Sequence, residues 1–186
     1  MDLGLEKRHA LVTGASRGLG RAIALALASE GAEVVAVSRN LERLNGLARE
    51  IPAGRGTITA RAADLADPSA IEGLSGLLRQ ADILVLNTGG PPPGAAADTP
   101  DAVWSEQFEA MFLSAIRLTR LALPGMRERG FGRILAVVSS CVVQPIPNLS
   151  VSNALRAALA AFLASPRASY MTGGVVRVDG GLIRSV

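Results

Sequence analysis

Short apolar runs alternate with longer amphipathic stretches along the first ninety residues of the chain. Runs rich in β-branched residues are typical of buried strands, and apolar positions three and four apart are typical of helices. The strand-like runs are HALVTG, AEVVAVS, GTITARAADL and DILVLNTGG, and the helix-like stretches between them are LGRAIALALASEG, LERLNGLAREI and SAIEGLSGLLRQ. Because parallel strands cannot be joined by a tight turn, this alternation predicts an α/β fold with a doubly wound parallel sheet and helices on both faces.

The second half of the chain continues the same pattern after a proline-rich loop, TGGPPPGAAADTP. A long helix is expected over residues 101–128, followed by the strand RILAVVSS, a helix that begins near Ser150 and a last strand, GVVRVD. The 186 residues and the absence of internal repeats predict one domain over residues 1–186.

The sequence TGASRGLGRA follows the first strand and carries Gly14, Gly18 and Gly20. Glycines alone indicate no more than a tight turn from strand to helix. With a strand before them and a helix after them, they favour a dinucleotide site, in which the backbone approaches a pyrophosphate at the helix N-terminus.

The spacing G-x-x-x-G-x-G resembles the cofactor turn of the short-chain dehydrogenase/reductase family, and the resemblance extends over nearly the whole chain. In the segment ADL, the family likeness implies that Asp64 contacts the adenine, and LNTG keeps Asn87 of the family's NNAG. The closing ASYMTGGVVRVDGG resembles 3-oxoacyl carrier-protein reductases. The resemblance implies a Rossmann-type fold with a cofactor site formed by Gly14, Ser16, Arg17, Gly18, Leu19, Gly20, Ser38, Arg39, Asp64, Leu65, Asn87 and Gly89.

The end of the second strand, AVSRN, indicates which nicotinamide cofactor is preferred. An enzyme that uses NAD would place an acid there on the ribose 2′-hydroxyl, whereas this chain has Ser38 and Arg39. A guanidinium can bind a 2′-phosphate with two hydrogen bonds, and Arg17 in the glycine turn supplies a second cation. Each arginine alone could be an ordinary surface charge, but together they favour NADP(H).

The family's catalytic residues are only partly retained. The resemblance places Ser140, with Ser139 beside it, at the serine that holds the carbonyl oxygen. It places Ser152 at the position of the proton-donating tyrosine, Arg156 at the lysine and Met111 at the asparagine of the proton relay.

No Tyr-x-x-x-Lys pair exists anywhere in the chain, since its only tyrosine is Tyr170 and its only lysine is Lys7. A serine hydroxyl is a far weaker acid than a phenol, and Arg156 keeps its proton, although it can hold a ribose or stabilise an oxyanion. The proton would therefore come from Ser152, a water or the substrate. The stretch QPIPN with the following SN resembles a divergent 3-oxoacyl reductase-like subgroup that lacks the catalytic tetrad.

Three functions are compatible with these residues. The first is an NADP(H)-dependent oxidoreductase that acts on a ketone or alcohol, 3-oxoacyl-like, with an altered proton donor. The second is a dinucleotide-binding protein without turnover, which serves as a sensor or partner subunit. The third, a structural subunit that binds nothing, is disfavoured because it has no need for Gly20 and Arg39 together. We favour the enzyme.

A further departure from the family is the short interval between the fifth strand and the closing strand. SNALRAALA resembles the beginning of one family helix and AFLASPRASYMTGG the end of a later one, so the two join near residues 158–161. A true deletion would remove an interior strand and leave backbone groups unpaired. We therefore expect that this sequence skips a disordered stretch there.

Composition argues against several other functions. The pI near 10 reflects a lack of titrating groups, since the net charge is only +3 and the basic residues are interleaved with acids. Nucleic-acid binding is therefore not expected. A single cysteine, Cys141, and a single histidine, His9, argue against a metal site. No apolar run is long enough for a membrane span and no signal-peptide pattern is present, so a cytoplasmic protein is expected. By family resemblance, a homodimer or homotetramer should form through residues 101–128 and 150–159.

Overall fold

The computed structural model describes residues 3–164 of the chain. These residues fall into two compact units, one formed by residues 3–89 with 114–137 and the other by residues 90–113 with 138–164. The single domain expected from the sequence stays a prediction. The expected last strand, GVVRVD, and Tyr170 lie outside the described residues.

Within the described residues, the first unit is built on a parallel sheet of five strands with the order β3-β2-β1-β4-β5. Its order reverses direction between β1 and β4, which is the signature of a doubly wound sheet flanked by helices. The predicted fold class is thereby confirmed. The strands are β1 His9–Thr13, β2 Glu33–Ser38, β3 Thr57–Ala62, β4 Ile83–Leu86 and β5 Arg133–Ala136.

The central strands are apolar along their whole length because both of their faces are covered. All four residues of β4 are buried, and so are Ala10 to Thr13 of β1. Helix α1, Gly18–Ser29, covers this part of the sheet with the small side chains of Ala24 and Ala28, which are completely buried. Small residues on this face let the helix approach the strands closely.

Two helices that the sequence predicts as continuous are broken in the structure. The stretch LERLNGLAREI forms α2, Leu41–Asn45, and a separate 3₁₀ turn, Leu47–Glu50. The stretch SAIEGLSGLLRQ forms α3, Pro68–Glu72, and α4, Ser75–Gln80. Glycine occupies both breaks, at Gly46 and Gly73, where its low helix propensity weakens continuity.

The long helix expected over residues 101–128 is also divided. It begins as α5, Asp101–Gln107, passes through a π-helical segment, Phe108–Leu113, and continues as α6, Ser114–Glu128. π-Helical turns are rare and are frequently found at functional sites. The segment contains Met111, which is buried against Val151 and Leu155.

In the second unit, helix α7 runs without interruption over Ser150–Ala164. Its beginning agrees with the helix expected near Ser150. The point near residues 158–161, where we expect the sequence to skip a disordered stretch, lies inside this continuous helix. The expected skip stays a prediction.

Among residues 3–164, no helix combines the length and the apolar character that crossing a membrane requires.

Candidate functional site

The glycine turn, residues 13–20, connects the end of β1 to the start of α1. Gly14 and Gly18 have φ angles of +59° and +56°, in the left-handed region that favours glycine. Gly18 is exposed, and a Cβ atom added there would meet no atom within 4 Å. Arg17 is the N-cap of α1 but makes no side-chain capping bond, and the first turn contains no acid. This helix N-terminus therefore offers its N–H groups and its positive dipole end to an anion.

Asn87 braces the glycine turn from the neighbouring strand end. Its side-chain amide donates to the carbonyl oxygen of Gly14 at 3.3 Å, and its N–H donates to the Thr13 hydroxyl at 2.8 Å. A Cβ at Gly14 or at Gly20 would overlap Asn87. The sequence predicts Asn87 as a cofactor contact, but its side-chain amide makes this internal bond in the structure. The resemblance to NNAG singled out Asn87 but did not reveal that its side chain stabilises the glycine turn.

Arg39 lies at the carboxyl end of β2 and lines a cleft of about 330 Å³. Asp64 and Asp67 also line this cleft, which therefore contains one cation and two carboxylates. The Asp64 carboxylate accepts a hydrogen bond from the Ala66 N–H at 3.0 Å. Asp67 caps α3, and its hydrogen bonds from Ser69 hold the pKa of the carboxyl below its usual range. The remaining lining residues are Ala62, Ala63 and Ala70.

The other expected cofactor residues lie around these two features. Ser38 is almost fully buried, and its hydroxyl accepts from the Asn40 N–H at 3.0 Å, so it stabilises its own turn. Leu19 is 66% exposed, although apolar side chains of this size are usually covered. Arg17 and Gly89 are exposed, whereas Ser16 and Leu65 are half-buried. The cleft is lined by Arg39 but not by Arg17, so the expected convergence of these two arginines stays a prediction.

In the second unit, Ser140 begins a 3₁₀ turn, Ser140–Val142, that follows β5. Ser139 caps this turn by accepting a hydrogen bond from the Cys141 N–H at 3.4 Å. The buried Cys141 thiol donates to the carbonyl oxygen of Ser152 at 3.6 Å, and its sulfur lies 3.7 Å from the Ser152 hydroxyl. The segments that carry Ser140 and Ser152 are therefore brought together, as the catalytic prediction requires.

Arg156 lies one turn after Ser152 on α7 and is half-buried. Burial lowers the pKa of its guanidinium below the ordinary value, and the nearby Cys141 acts in the opposite direction. An arginine nevertheless keeps its charge, so Arg156 supplies a fixed cation one helical turn after Ser152. Met111, at the expected asparagine position, is buried in an apolar cluster with Val151 and Leu155, and its side chain has no proton to transfer.

The loop between Ser140 and Ser152 is tied down by a residue that the sequence reasoning missed. The Asn153 amide binds Ile146 twice, donating to its carbonyl oxygen at 2.9 Å and accepting from its N–H at 3.2 Å. The Gly94 N–H donates to Asn148 O at 2.7 Å, and the Ser150 hydroxyl donates to Gly94 O at 3.0 Å. Ile146 and Asn153 both lie in the motif QPIPN with SN, but their spacing along the chain does not reveal that they form hydrogen bonds with each other.

A family model described as short chain dehydrogenase matches residues 8–180 of this chain. The oxidoreductase YvrD of Bacillus subtilis is 35% identical over 80% of this chain and 57% of its own length. The ketoacyl reductase HetN of Nostoc sp. is 36% identical over 92% of this chain and 61% of its own length. The chain thus spans less than two thirds of the length of these two relatives.

Among solved structures, the L-sorbose reductase of Gluconobacter frateurii, complexed with NADPH and L-sorbose, superimposes with a TM-score of 0.84. It is 34% identical, and the match covers 91% of this chain and 66% of the reductase.

Proposed function

The chain belongs to the short chain dehydrogenase family, and from this premise we propose that it is an NADP(H)-dependent oxidoreductase acting on a ketone or the corresponding alcohol. The observation that supports this most directly is the uncapped N-terminus of α1, with the exposed Gly18 in the left-handed conformation beside it. The solved L-sorbose reductase holds NADPH, and HetN is named a ketoacyl reductase.

The first unit supplies the residues that would hold the dinucleotide. The glycine turn would receive the pyrophosphate, because no side chain fills the space beside Gly18. The cleft lined by Arg39 and Asp64 would receive the adenosine end, with the Arg39 guanidinium on the 2′-phosphate. The exposed Leu19 would provide an apolar contact for the nicotinamide.

The second unit supplies the residues that would hold the carbonyl group. The hydroxyl groups of Ser140 and Ser152 would donate hydrogen bonds to the carbonyl oxygen, and Arg156 would stabilise the negative charge that develops on it. When bound, NADPH would supply the hydride that reduces the carbonyl carbon. The carbonyl oxygen would take its proton from a water, or from the Ser152 hydroxyl, whose residue is 6% exposed and which a water would reprotonate, and the alcohol would form.

The experiment that tests this proposal is NADPH oxidation, followed at 340 nm, with a panel of small ketones and 3-oxoacyl thioesters. Slow turnover that depends on the ketone supports the proposal. Titration calorimetry with NADPH in the same preparation measures the cofactor site separately.

A dinucleotide-binding protein without turnover is the second candidate. It is favoured by Met111, whose apolar side chain is buried where the family's asparagine would stand, and by the serine at position 152. If NADPH binds and no ketone or alcohol is turned over, this second function replaces the first.

We also propose that the chain associates with a second copy of itself. Phe108 stacks on Phe112 with ring centroids 5.3 Å apart, and Phe162 of α7 meets Phe112 edge-on at 6.4 Å. Phe108 and Phe162 remain 41% and 40% exposed. An aromatic patch on the helices that the family resemblance assigns to subunit contacts is typical of an interface.

A further inference from the structure

The loop that joins Ser140 to Ser152 is closed at its neck and braced across its middle. The neck is the contact between Cys141 and the Ser152 carbonyl oxygen at 3.6 Å. The brace is the double hydrogen bond between the Asn153 amide and the backbone of Ile146. Loops whose ends meet in this way are compact and are frequently functional.

A second segment of the same unit is joined to this loop by its main chain. Gly94 forms a parallel bridge with Leu149, and its N–H donates to the carbonyl oxygen of Asn148 at 2.7 Å. Asn148 has a φ angle of +59°, a left-handed conformation that asparagine tolerates better than most residues. The proline segment at residues 91–93 is thereby held beside the loop.

These two joined segments form a wall without charge. Neither residues 90–97 nor residues 138–150 contain an acidic or basic side chain, although 19% of the chain is charged. Val143 is 48% exposed, and Pro92, Pro93, Pro145 and Pro147 are exposed as well, whereas the exposed polar side chains of these segments are only Gln144 and Asn148. Apolar side chains in this number, fixed by backbone hydrogen bonds and proline rings, present a stiff apolar surface next to the two serines.

We infer that Asn153 is a positioning residue that fixes this wall, and that the wall selects ketones with an apolar carbon chain over polyhydroxylated ketoses. This inference rests on the proposed function, because a carbonyl group held by Ser140 and Ser152 lies at the neck of the loop. The rest of the substrate then meets the wall. A hydrocarbon chain gains by burial there, whereas a sugar hydroxyl loses its water and finds few hydrogen-bond partners.

The experiment measures kcat/KM with NADPH for straight-chain 2-alkanones from four to eight carbons. Burial of one methylene against a fixed apolar surface raises kcat/KM about fourfold. In the unmutated protein, the slope, which is the gain in kcat/KM for each added carbon, should therefore be about fourfold. The matched pair 2-butanone and erythrulose, which differ only in three hydroxyl groups, should be turned over with 2-butanone preferred.

Asn153→Ala removes both bonds to Ile146, whereas Asn153→Asp keeps the acceptor and loses the donor. Both variants should lower the gain per methylene below about twofold, mainly through KM, with the aspartate variant less affected. Asn45→Ala makes the same substitution at an exposed position of α2 and should leave the slope unchanged. Hydrogen exchange at the Ile146 amide should accelerate in Asn153→Ala, and NADPH affinity should not change. If the alanine variant does not fold, the aspartate variant alone decides the question.

An unchanged slope in the Asn153 variants, or a preference for erythrulose in the unmutated protein, overturns the inference and leaves the oxidoreductase proposal standing. Absence of turnover with every ketone, while NADPH binds, overturns both.

Discussion

The side-chain amide of Asn87 donates a hydrogen bond of 3.3 Å to the carbonyl oxygen of Gly14, joining the ends of two neighbouring strands. A Cβ atom at Gly14 would overlap this asparagine, whereas a Cβ atom at Gly18 would meet nothing. Both glycines share the left-handed conformation, so the pair separates the cost of backbone strain from the cost of steric overlap.

Gly14→Ala should lower the free energy of unfolding by about 3 kcal/mol, because it adds overlap to the left-handed penalty. Gly18→Ala should lower it by about 1 kcal/mol, since only the penalty remains. Urea unfolding followed by circular dichroism measures both. Equal losses in the two variants would mean that Asn87 moves aside freely.

Arg129→Ala should destabilise the protein by about 2 kcal/mol. Its guanidinium donates to the buried Asp82 carboxylate at 3.0 Å and to the carbonyl oxygens of Arg79 and Ala81 at 2.8 and 2.7 Å, and all three acceptors lose a partner. Arg79→Ala removes an exposed ion pair with Glu128 and should cost at most about 0.5 kcal/mol. Thermal unfolding of the two variants compares them directly, and a similar shift in both would contradict the stabilising role assigned to Arg129.

The unmutated protein should bind NADPH more tightly than NADH, and Arg39→Asp should reduce NADPH affinity about tenfold or more. The substitution replaces a phosphate partner in the cleft with a carboxylate that repels phosphate, while NADH affinity should be nearly unchanged. Titration calorimetry measures both cofactors. Arg43→Asp, which makes the same charge change on α2, serves as the control. Equal affinity for NADPH and NADH in the unmutated protein would show that Arg39 does not contact the ribose phosphate.

Ser140→Ala should reduce the rate of NADPH oxidation about 100-fold to 1000-fold, because it removes a hydrogen-bond donor to the carbonyl oxygen. Ser152→Ala should reduce it less, since a water can deliver the proton. Ser152→Tyr combined with Arg156→Lys should raise the rate by restoring the family's dyad, and should introduce a basic limb into the pH profile. Initial rates from pH 6 to pH 10 test all three, and a greater loss from Ser152→Ala than from Ser140→Ala would reverse the two roles.

Phe108→Glu should convert a dimer or tetramer into a monomer, because it places a charge on an exposed ring of the aromatic patch. Light scattering after size exclusion at micromolar concentration measures the mass. Leu41→Glu changes an exposed apolar residue of α2 in the same way and should leave the mass unchanged. A monomeric unmutated protein would rule out the proposed association.

The sequence by itself determined the alternation of strands and helices, because hydrophobic periodicity and the glycines of TGASRGLG are local properties. It also determined that no Tyr-x-x-x-Lys pair exists, since one tyrosine and one lysine cannot form one. The breaks at Gly46 and Gly73 were missed, because periodicity continues through a glycine whose cost depends on the packing around it.

Only the tertiary structure decided what Asn87 and Asn153 do. The Asn87 amide meets a carbonyl oxygen 73 residues away, and the bond exists only because β1 and β4 are adjacent in the sheet. Asn153 reaches back seven residues to Ile146, and the path of the intervening loop depends on Gly94, more than fifty residues earlier. Spacing along the chain reports which residue types are present, whereas the partner of a polar side chain is set by the packing that brings distant backbone together.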